Sequence, residues 1–504
     1  MSIARIHTAQ PGVLRGDIVT IEADLARGLY SFAVVGLAGK AVEEARDRVS
    51  AAIKNSGFKN PKSENQKLVV SLAPADLKKD GPLFDLPIAI AYLFASGTLK
   101  GNVDKTLFIG ELSLDGTLRP VRGVLPAVVA GKKAGFTEII VPEGNQTEAA
   151  LVEGIVVYGA KTLSEVIDHI DHSRETHQLL KPAEETELSG DWFDTHIRLE
   201  DIKGQESAKR GLIIAAAGLH NILMAGPPGT GKTMLARAFQ GLLPPLSREE
   251  ALEVTAIHSL VDGMREITSA PPFRTPHHTA SYVSLVGGGT SPRPGEVTLA
   301  HRGVLFMDEF PEFDRRTLDA LRQPLEDRVV NISRVKGSEC FPADFVLVAA
   351  MNPYRGTEDG STDYAASMMS TYKGKISGPI LDRIDLWLNV PHVDYDTLTN
   401  VQEVGDETKH AREQVFKSRE RQRRRYKDCI ANVNSRLSSR ELEAMVQLSK
   451  EIKETLRQSA AKLNLSPRSL HRLIKVSRTI ADLEDSDEIL TPHLLEALQY
   501  RVKL

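Results

Sequence analysis

An apolar run that passes directly into a glycine-rich loop is the feature that most constrains this chain. Residues 221–225 lead into the octapeptide Gly226-Pro227-Pro228-Gly229-Thr230-Gly231-Lys232-Thr233, which fits the pattern of a P-loop between a strand and a helix. Its glycines let backbone N–H groups face phosphate oxygens, and Lys232 adds a charge for the β- and γ-phosphates. Thr233 offers a hydroxyl to Mg²⁺, and the following helix presents its positive end to the anion. The stretch predicts a site for ATP and Mg²⁺.

Length and composition limit the classes of protein to which this chain can belong. A chain of 504 residues is too long for one core and predicts about three units. With 41% hydrophobic and 26% charged residues and a net charge of −4, it is typical of a soluble protein, and any basic surface must be local. Two cysteines, Cys340 and Cys429, do not make a disulfide framework. We find neither a signal peptide nor a membrane span, and expect a cytoplasmic location.

The patterning divides the chain into four parts. Residues 1–170 mix strand-like runs with a helix-like segment at 41–56, and 171–198 form a polar linker. Residues 199–390 alternate apolar strands with helices, as a parallel α/β sheet does, and 391–504 are helical throughout. The predicted strands in the first part are 17–22, 32–35, 68–71, 107–112 and 138–141.

Three polar residues follow predicted strands within residues 199–390. Residues 304–307 end at Asp308 and Glu309, where Asp308 can reach the Mg²⁺ shell and Glu309 can polarise the attacking water. The strand 345–350 leads to Asn352, which either senses the γ-phosphate or only caps the turn before Pro353.

Two arginines are candidates for contact with the transferring phosphoryl group. Arg383 lies on a turn between a helix and a strand, where it suits a finger inserted into a neighbouring subunit, or a salt bridge to Asp382 or Asp385. Arg468, near the start of a helix in the last part, could swing over the nucleotide, with Arg472 as its rival.

The order of these elements resembles an AAA+ ATPase, and a longer block is more specific. Residues 273–279 (FRTPHHT), 285–289 (LVGGG) and 294–303 (PGEVTLAHRG) are similar to the magnesium-chelatase-like AAA+ proteins of the YifB/ComM type, over essentially the whole chain. The resemblance implies a P-loop ATPase core with a helical lid, catalytic roles for Lys232, Glu309, Asn352, Arg383 and Arg468, and Mg²⁺ binding by Thr233 and Asp308. It also implies homo-hexameric rings and, for ComM proteins, DNA branch migration during natural transformation.

The same resemblance makes it necessary to ask whether the chain has a zinc site. Adjacent His277 and His278 have no partner at metal-ligand spacing, so we favour a structural role for them. Many relatives carry several cysteines after the position of Asn352-Pro353, whereas this chain has none through Lys375. We therefore expect no zinc site there.

The first part resembles a Lon-type serine protease, with an α+β fold of the ribosomal S5 type. The resemblance lies in residues 79–87 (KDGPLFDLP) and 108–125. Leu83 and Leu125 stand where Lon has its serine nucleophile and lysine base, and an aliphatic side chain can serve neither role. We predict no peptidase activity and a role in binding DNA or organising the ring.

Two segments are candidates for contact with DNA. Residues 328–339 alternate around a glycine turn and predict a hairpin, from which Arg334 and Lys336 either face phosphates or only keep the hairpin soluble. Residues 417–427 hold seven cations and one acid, among them Arg423, Arg424 and Arg425, on a helix that either faces phosphates or is simply solvated.

We expect an ATP-driven DNA motor, with a chelatase-type motor acting on a protein or a metal-insertion partner as the alternative. The Lon-like first part argues against the alternative, because that domain is not expected in chelatase subunits.

Overall fold

The computed structural model describes residues 3–12, 16–186, 188, 190–261, 268–289, 293–334, 337–352, 376–394, 396, 405–427, 429, 431–463 and 465–501. Internal contacts divide the chain into two units. The first comprises Met1–Ser189 and Arg248–Thr268, and the second comprises Gly190–Ser247 and Ser269–Leu504. Both have mixed α/β architecture, as the patterning predicted.

The first unit is built on a mixed seven-stranded sheet of order β3-β4-β2-β1-β5-β8-β9, beside a β6–β7 ribbon. Its strands are β1 (Ile3–Pro11), β2 (Gly16–Arg27), β3 (Ser31–Val35), β4 (Gln66–Ala73), β5 (Thr106–Phe108), β6 (Glu111–Leu112), β7 (Leu118–Arg119), β8 (Glu138–Pro142) and β9 (Val156–Ala160). The helices before residue 189 are α1 (Lys40–Asn55), α2 (Asp85–Ala95), α3 (Val124–Lys133), α4 (Gln146–Ala149) and α5 (Leu163–Ile170).

The predicted segments of this unit overlap observed elements, although 107–112 is divided between β5 and β6, which lie in different sheets. The strands β1, β7 and β9 and the helices α2 to α5 were not predicted, and two of them deserve comment. Strand β1 pairs antiparallel with β2, Ile3 opposite Asp24, and carries one of the longest ladders of the sheet. Helix α2 is buried along almost its whole length, so it lacks the polar face that marks an amphipathic helix.

The second unit contains a five-stranded, fully parallel sheet of order β11-β14-β17-β10-β18. Its strands and those of two small ribbons are β10 (Ile222–Ala225), β11 (Phe273–Arg274), β12 (Gly287–Gly288), β13 (Arg293–Pro294), β14 (Val304–Met307), β15 (Val329–Arg334), β16 (Gly337–Pro342), β17 (Val346–Met351) and β18 (Leu386–Asn389). The helices from residue 206 to residue 381 are α6 (Glu206–Gly218), α7 (Lys232–Leu242), α8 (Arg248–Ser259), α9 (Tyr282–Val286), α10 (Glu296–Leu299), α11 (Arg315–Asp319), α12 (Arg322–Asp327) and α13 (Gly378–Leu381).

The C-terminal part is helical, as predicted. It contains α14 (Glu407–Arg425), α15 (Ser439–Met445), α16 (Lys450–Leu463), α17 (Pro467–Leu483) and α18 (Thr491–Gln499). Ser438 opens α15 with a capping box to Glu441. None of the helices in the described residues is long and apolar enough to cross a membrane.

Helix α8 belongs with the first unit although it lies between α7 and the strands of the second. The side chain of Leu260 approaches the position of a Cβ on Gly123, directly before α3. Arg248 donates to the carbonyl of Leu151 at 3.0 Å. The ATPase sequence therefore contributes one segment to the packing of the N-terminal unit.

Candidate ATPase site

The P-loop joins β10 to α7 at the carboxyl edge of the parallel sheet. A Cβ on Gly226 would lie 2.0 Å from the carbonyl oxygen of Val390, so the chain leaving β18 excludes any side chain there. Gly229 and Gly231 have φ of 79° and 90°, and a Cβ on either would meet nothing within 4 Å. The two glycines therefore combine left-handed backbone with open space, as a phosphate cradle requires.

Lys232 begins α7, which has neither a side-chain cap nor an acidic residue in its first turn. Its Nζ donates to the carbonyls of Gly226 and Pro227 at 2.8 and 2.7 Å. Burial lowers the pKa of Lys232, and the charge of Asp308 opposes that shift. The N-terminal N–H groups of α7 and the Lys232 ammonium thus provide an anion site whose natural occupant is a polyphosphate.

Thr233 and Asp308 are brought together as a pair of hard oxygen ligands. Thr233 Oγ1 donates to Asp308 Oδ2 at 3.3 Å, although the residues lie 75 positions apart. Asp308 Oδ1 accepts the N–H of Glu309 at 2.9 Å. Hydroxyl and carboxylate oxygens suit Mg²⁺, which is bound through few protein ligands and substrate phosphates. When it is bound with ATP, Mg²⁺ neutralises charge on the β- and γ-phosphates.

Glu309 and Asn352 follow two neighbouring strands of the sheet. Glu309 has φ of 50°, a left-handed conformation that costs a residue with a side chain about 1–2 kcal/mol. Asn352 directly follows β17, which lies between β14 and β10. The parallel order therefore gathers Asp308, Glu309, Asn352 and the P-loop at one edge of the sheet.

The opposite, amino edge of the same sheet is fastened by Asn221. Its backbone N–H donates to Asp385 Oδ2 at 3.0 Å, and its amide oxygen accepts the N–H of Leu347 at 2.9 Å. Its side-chain Nδ2 donates to the carbonyl of Arg383 at 3.0 Å. One buried side chain thus ties together the starts of β10, β17 and β18.

Arg383 lies at this amino edge, beside the lid arginine Arg468. The carboxylate of Glu326 pairs with both, at 3.0 Å from Arg468 and in close contact with Arg383. Burial, followed by the charges of Arg468 and Arg472, lowers the pKa of Arg383. The strand between this edge and the P-loop edge is four residues long, or about 13 Å. Both arginines are therefore displaced from the P-loop of their own chain.

Arg472 has a different partner from Arg468. Its Nη1 donates to Asp385 Oδ1 at 2.6 Å, and His220 Nδ1 lies 3.6 Å from the other carboxylate oxygen. Burial would raise the pKa of Asp385, but Arg472, His220 and the N–H of Asn221 outweigh burial and hold it well below its usual range. This geometry favours a structural role for Arg472, and it leaves Arg468, with a half-exposed side chain, as the better candidate for contact with a nucleotide.

Glu326, Asn221 and His278 are residues of the site that the motifs did not reveal. Glu326 lies on a short helix and accepts a hydrogen bond from Arg468, which is 142 positions away in the sequence. His278 Nδ1 lies 3.1 Å from Glu309 Oε2. The adjacent histidines were noticed in the sequence, but nothing in the local pattern indicated a contact with Glu309.

Comparison with known proteins agrees with this arrangement. Family descriptions "Magnesium chelatase, subunit ChlI" and "Magnesium chelatase, subunit ChlI C-terminal" match residues 198–398 and 405–501. Over 509 aligned residues the chain is 44% identical to "Competence protein ComM" of Haemophilus influenzae, covering 99% of this chain and 98% of the relative. The chain belongs to the YifB/ComM family of magnesium-chelatase-like AAA+ proteins. "Uncharacterized protein YifB" of Escherichia coli K12 is 42% identical, covering 99% and 97%. Membership in this family indicates ATPase activity.

The first unit has its own relatives. The chain is similar to "Lon protease 2" of Bacillus subtilis, 36% identical over 108 residues, which cover 21% of this chain and 19% of the relative. A description "Subunit ChlI of Mg-chelatase" also matches residues 21–145. The Lon-like unit therefore does not separate this family from chelatase-named proteins, and that part of our sequence argument was wrong.

The protease-like positions of the first unit are apolar and enclosed. Leu83 is 4% exposed and Leu125 is fully buried. The backbone N–H of Leu125 donates to the buried carboxylate of Glu148 at 3.2 Å, and burial raises the pKa of Glu148. Neither leucine supplies a nucleophile or a base, so the polar chemistry of a Lon site is lacking at both positions.

The two segments that the sequence analysis proposed for DNA contact differ in what the structure describes of them. Strands β15 and β16 form the predicted hairpin, Ser333 opposite Ser338; the side chain of Arg334, and Lys336 altogether, lie outside the described residues. In α14, Arg423 and Arg424 are exposed. Arg425 instead donates to buried Asp482 at 2.9 Å, so its guanidinium is engaged inside the protein. Arg423 is paired with Glu420 at 2.7 Å but remains exposed, and Arg423 and Arg424 are therefore the better candidates for phosphate contact.

Proposed function

We propose that this chain is the subunit of a homo-hexameric, ATP-driven DNA motor that promotes branch migration in natural transformation and homologous recombination. The name of the Haemophilus relative associates that protein with competence. The observation that carries the proposal is the placement of Arg383 and Arg468 at the sheet edge opposite the P-loop. In a ring, the amino edge of one subunit faces the carboxyl edge of the next, and a complete site then forms between them.

The residues of the chain divide the work of hydrolysis between two subunits. Lys232 and the start of α7 hold the phosphates, while Thr233 and Asp308 hold Mg²⁺. Glu309 accepts the proton of the attacking water, and Asn352 orients that water or the γ-phosphate. Arg383 and Arg468 of the neighbour stabilise negative charge on the transferring phosphoryl group, as arginine fingers do.

DNA contact is proposed for the β15–β16 hairpin and for Arg423 and Arg424 on α14. Exposed guanidinium groups bind phosphate without regard to base sequence, as a motor that moves along DNA requires. We expect Arg334 and Lys336 to contribute from the hairpin. The location consistent with this function is the cytoplasm.

The decisive experiment measures ATP hydrolysis and three-strand branch migration with the same preparation. Wild-type protein should hydrolyse ATP faster with single-stranded or forked DNA and should move the branch point. Glu309→Gln should bind ATP and DNA but fail to move the branch. A wild-type protein that hydrolyses ATP without moving any branched substrate contradicts the proposal.

A second candidate is a chelatase-type motor that remodels a protein or a metal-insertion partner. It is favoured by the chelatase descriptions that match three regions of the chain. Stimulation of ATP hydrolysis by a tetrapyrrole-bearing partner, with none by DNA, would select this function instead.

A further inference from the structure

Two histidines in the polar segment after α5 face each other across a short gap. His172 Nδ1 lies 3.0 Å from His177 Nε2, and the residues are five positions apart. Both belong to the first unit, whereas the ATPase residues lie in the second. Imidazole nitrogens are the donors that divalent transition metals most often take from proteins. The pair is therefore a candidate metal site that the sequence motifs did not reveal.

The partner of the other His177 nitrogen fixes the tautomer that faces His172. His177 Nδ1 lies 2.6 Å from the carbonyl oxygen of Asp168. Because a carbonyl oxygen can only accept, Nδ1 carries the proton and Nε2 presents its lone pair to His172. Metal-ligating histidines have this arrangement, in which the second ring nitrogen donates to a carbonyl or a carboxylate. The backbone of Asp168 thus prepares His177 as a ligand.

Contacts within the loop hold it in place on the first unit. Asp168 Oδ1 accepts the hydroxyl of Thr176 at 2.6 Å and pairs with Arg174 at 3.0 Å. The guanidinium of Arg174 also lies over the ring of Phe58, 4.9 Å from its centroid. The backbone N–H of His177 donates to the carbonyl of Arg174 at 3.1 Å. A site held in this way loses little conformational freedom when it binds an ion.

The separation and tilt of the two rings indicate which metals the pair accepts. A linear hydrogen bond between the nitrogens would place the ring centroids about 5 Å apart, whereas they lie 4.4 Å apart with the rings inclined by 60°. The lone pairs can therefore meet at an ion beside the line that joins the nitrogens. Metal–nitrogen bonds of about 2.0–2.1 Å to nitrogens 3.0 Å apart enclose an angle of about 95°. That angle suits square-planar or tetragonal Ni²⁺ and Cu²⁺ better than tetrahedral Zn²⁺.

A third histidine close to the pair is already engaged. His169 Nδ1 accepts the backbone N–H of Leu180 at 3.0 Å, and its ring packs on that of Tyr158 with centroids 4.5 Å apart. In the described part of the chain, no three histidine, cysteine or acidic side chains are grouped so as to hold one ion. Water or a small anion would complete the coordination, so we expect an exchangeable ion and not a closed structural site.

We propose that His172 and His177 bind a divalent transition metal ion, Ni²⁺ or Cu²⁺ in preference to Zn²⁺, in the loop that follows α5. The ion occupies the place between the two nitrogens, and His172 then carries its ring proton on Nε2 instead of Nδ1. The site goes beyond the proposed DNA motor and does not depend on it, because neither ligand belongs to the ATPase residues.

The test measures metal binding to the untagged full-length chain in excess Mg²⁺, which saturates the site of Thr233 and Asp308. Calorimetric titration should give an affinity for Ni²⁺ that falls about tenfold or more in His172→Ala and in His177→Ala. Wild-type protein should bind Zn²⁺ more weakly than Ni²⁺. Binding should also weaken between about pH 7.5 and pH 5.5, because protons compete for the ligand nitrogens. The EPR spectrum of added Cu²⁺ should lose its imidazole nitrogen coupling in the double variant.

Matched controls separate this site from general binding by surface histidines. His196→Ala removes an exposed histidine elsewhere in the chain and should keep the wild-type affinity for Ni²⁺. Each histidine variant should keep the metal-free melting temperature and the rate of ATP hydrolysis, so the outcome is independent of the motor function. An unchanged Ni²⁺ affinity in the double variant, or an equal loss in His196→Ala, overturns the site. Tighter binding of Zn²⁺ than of Ni²⁺ overturns the metal preference.

Discussion

The two edges of the parallel sheet in the ATPase unit differ in how their charges are satisfied. At the carboxyl edge, Lys232 is bonded to backbone carbonyls and faces the glycine-rich loop, which has room for an anion. At the amino edge, Arg383 and Arg468 share Glu326, and Arg472 is paired with Asp385. One edge is a cradle suited to an anion, and the other is a set of cations held in place by carboxylates.

In the ring that we propose, this difference explains why each subunit depends on its neighbour for a complete site. Parallel strands keep their two ends apart by the full strand length, so no side-chain rotation brings Arg383 to Lys232 of the same chain. The proposed ring brings the amino edge of one copy to the carboxyl edge of the next. The predictions below test each edge, beginning with the largest expected effect.

Mixing two inactive variants tests whether the edges belong to one shared site. Arg383→Ala should lower kcat about 10³-fold, as loss of an arginine finger does, and Lys232→Ala should remove productive ATP binding. Mixed in equal amounts, they should regain measurable ATP hydrolysis, because Arg383 of a Lys232→Ala subunit completes the intact P-loop of its neighbour. Mixtures no more active than either variant alone would place the finger elsewhere.

Substitution of Asp385 tests whether the ion pairs at the amino edge stabilise the fold. Asp385→Ala leaves Arg472 without its partner and should lower the free energy of unfolding by about 3–5 kcal/mol, measured by urea denaturation. Exposed Asp394→Ala is the matched control and should stay within about 0.5 kcal/mol of wild type. Because the folded pKa of Asp385 is depressed, its stabilisation is full above the ordinary aspartate pKa of about 4 and declines as the pH falls below it.

Substitution of Arg468 should affect catalysis, whereas substitution of Arg472 should affect stability. Arg468→Ala should lower kcat about tenfold, as loss of one charge-assisted contact to the transferring phosphoryl group does, with an unchanged melting temperature. Arg472→Ala should lower the melting temperature, because Asp385 is left buried beside His220. If Arg472→Ala slows hydrolysis at full stability while Arg468→Ala does not, the two roles are exchanged.

The smallest effects are expected from substitutions of Arg424 and Arg425, which are neighbours in sequence and therefore closely matched. Arg424→Ala should weaken DNA binding, reduce the slope of log affinity against log salt by about one and leave stability unchanged. Arg425→Ala leaves buried Asp482, within the described part of the chain, with the side chains of Arg478 and Asn434 and should cost about 1–3 kcal/mol of unfolding free energy. Equal effects of both variants on DNA binding, without loss of stability, would contradict the assignment of Arg425 to the lid core.

Much of the fold followed from local pattern. Consecutive residues form the P-loop, the strand before Asp308 and the hairpin of β15 and β16. Local sequence pattern therefore identifies each of them. Strand β1 and helix α2 were missed for opposite reasons. The first lies in a short polar-apolar mixture at the N-terminus, and the second is buried on all sides, which removes the amphipathic signal.

The sequence by itself predicted a nucleoside triphosphate site and identified the chain as one of the magnesium-chelatase-like AAA+ proteins. Those conclusions rest on residues whose chemistry depends on near neighbours, such as Gly229, Gly231 and Lys232. Only the tertiary structure decided that Arg383 and Arg468 share Glu326, that Arg425 is held by Asp482 and that His278 reaches Glu309. Each of these facts depends on which side chains meet across strands and helices, and the order of strands in a sheet is set by packing of the whole chain.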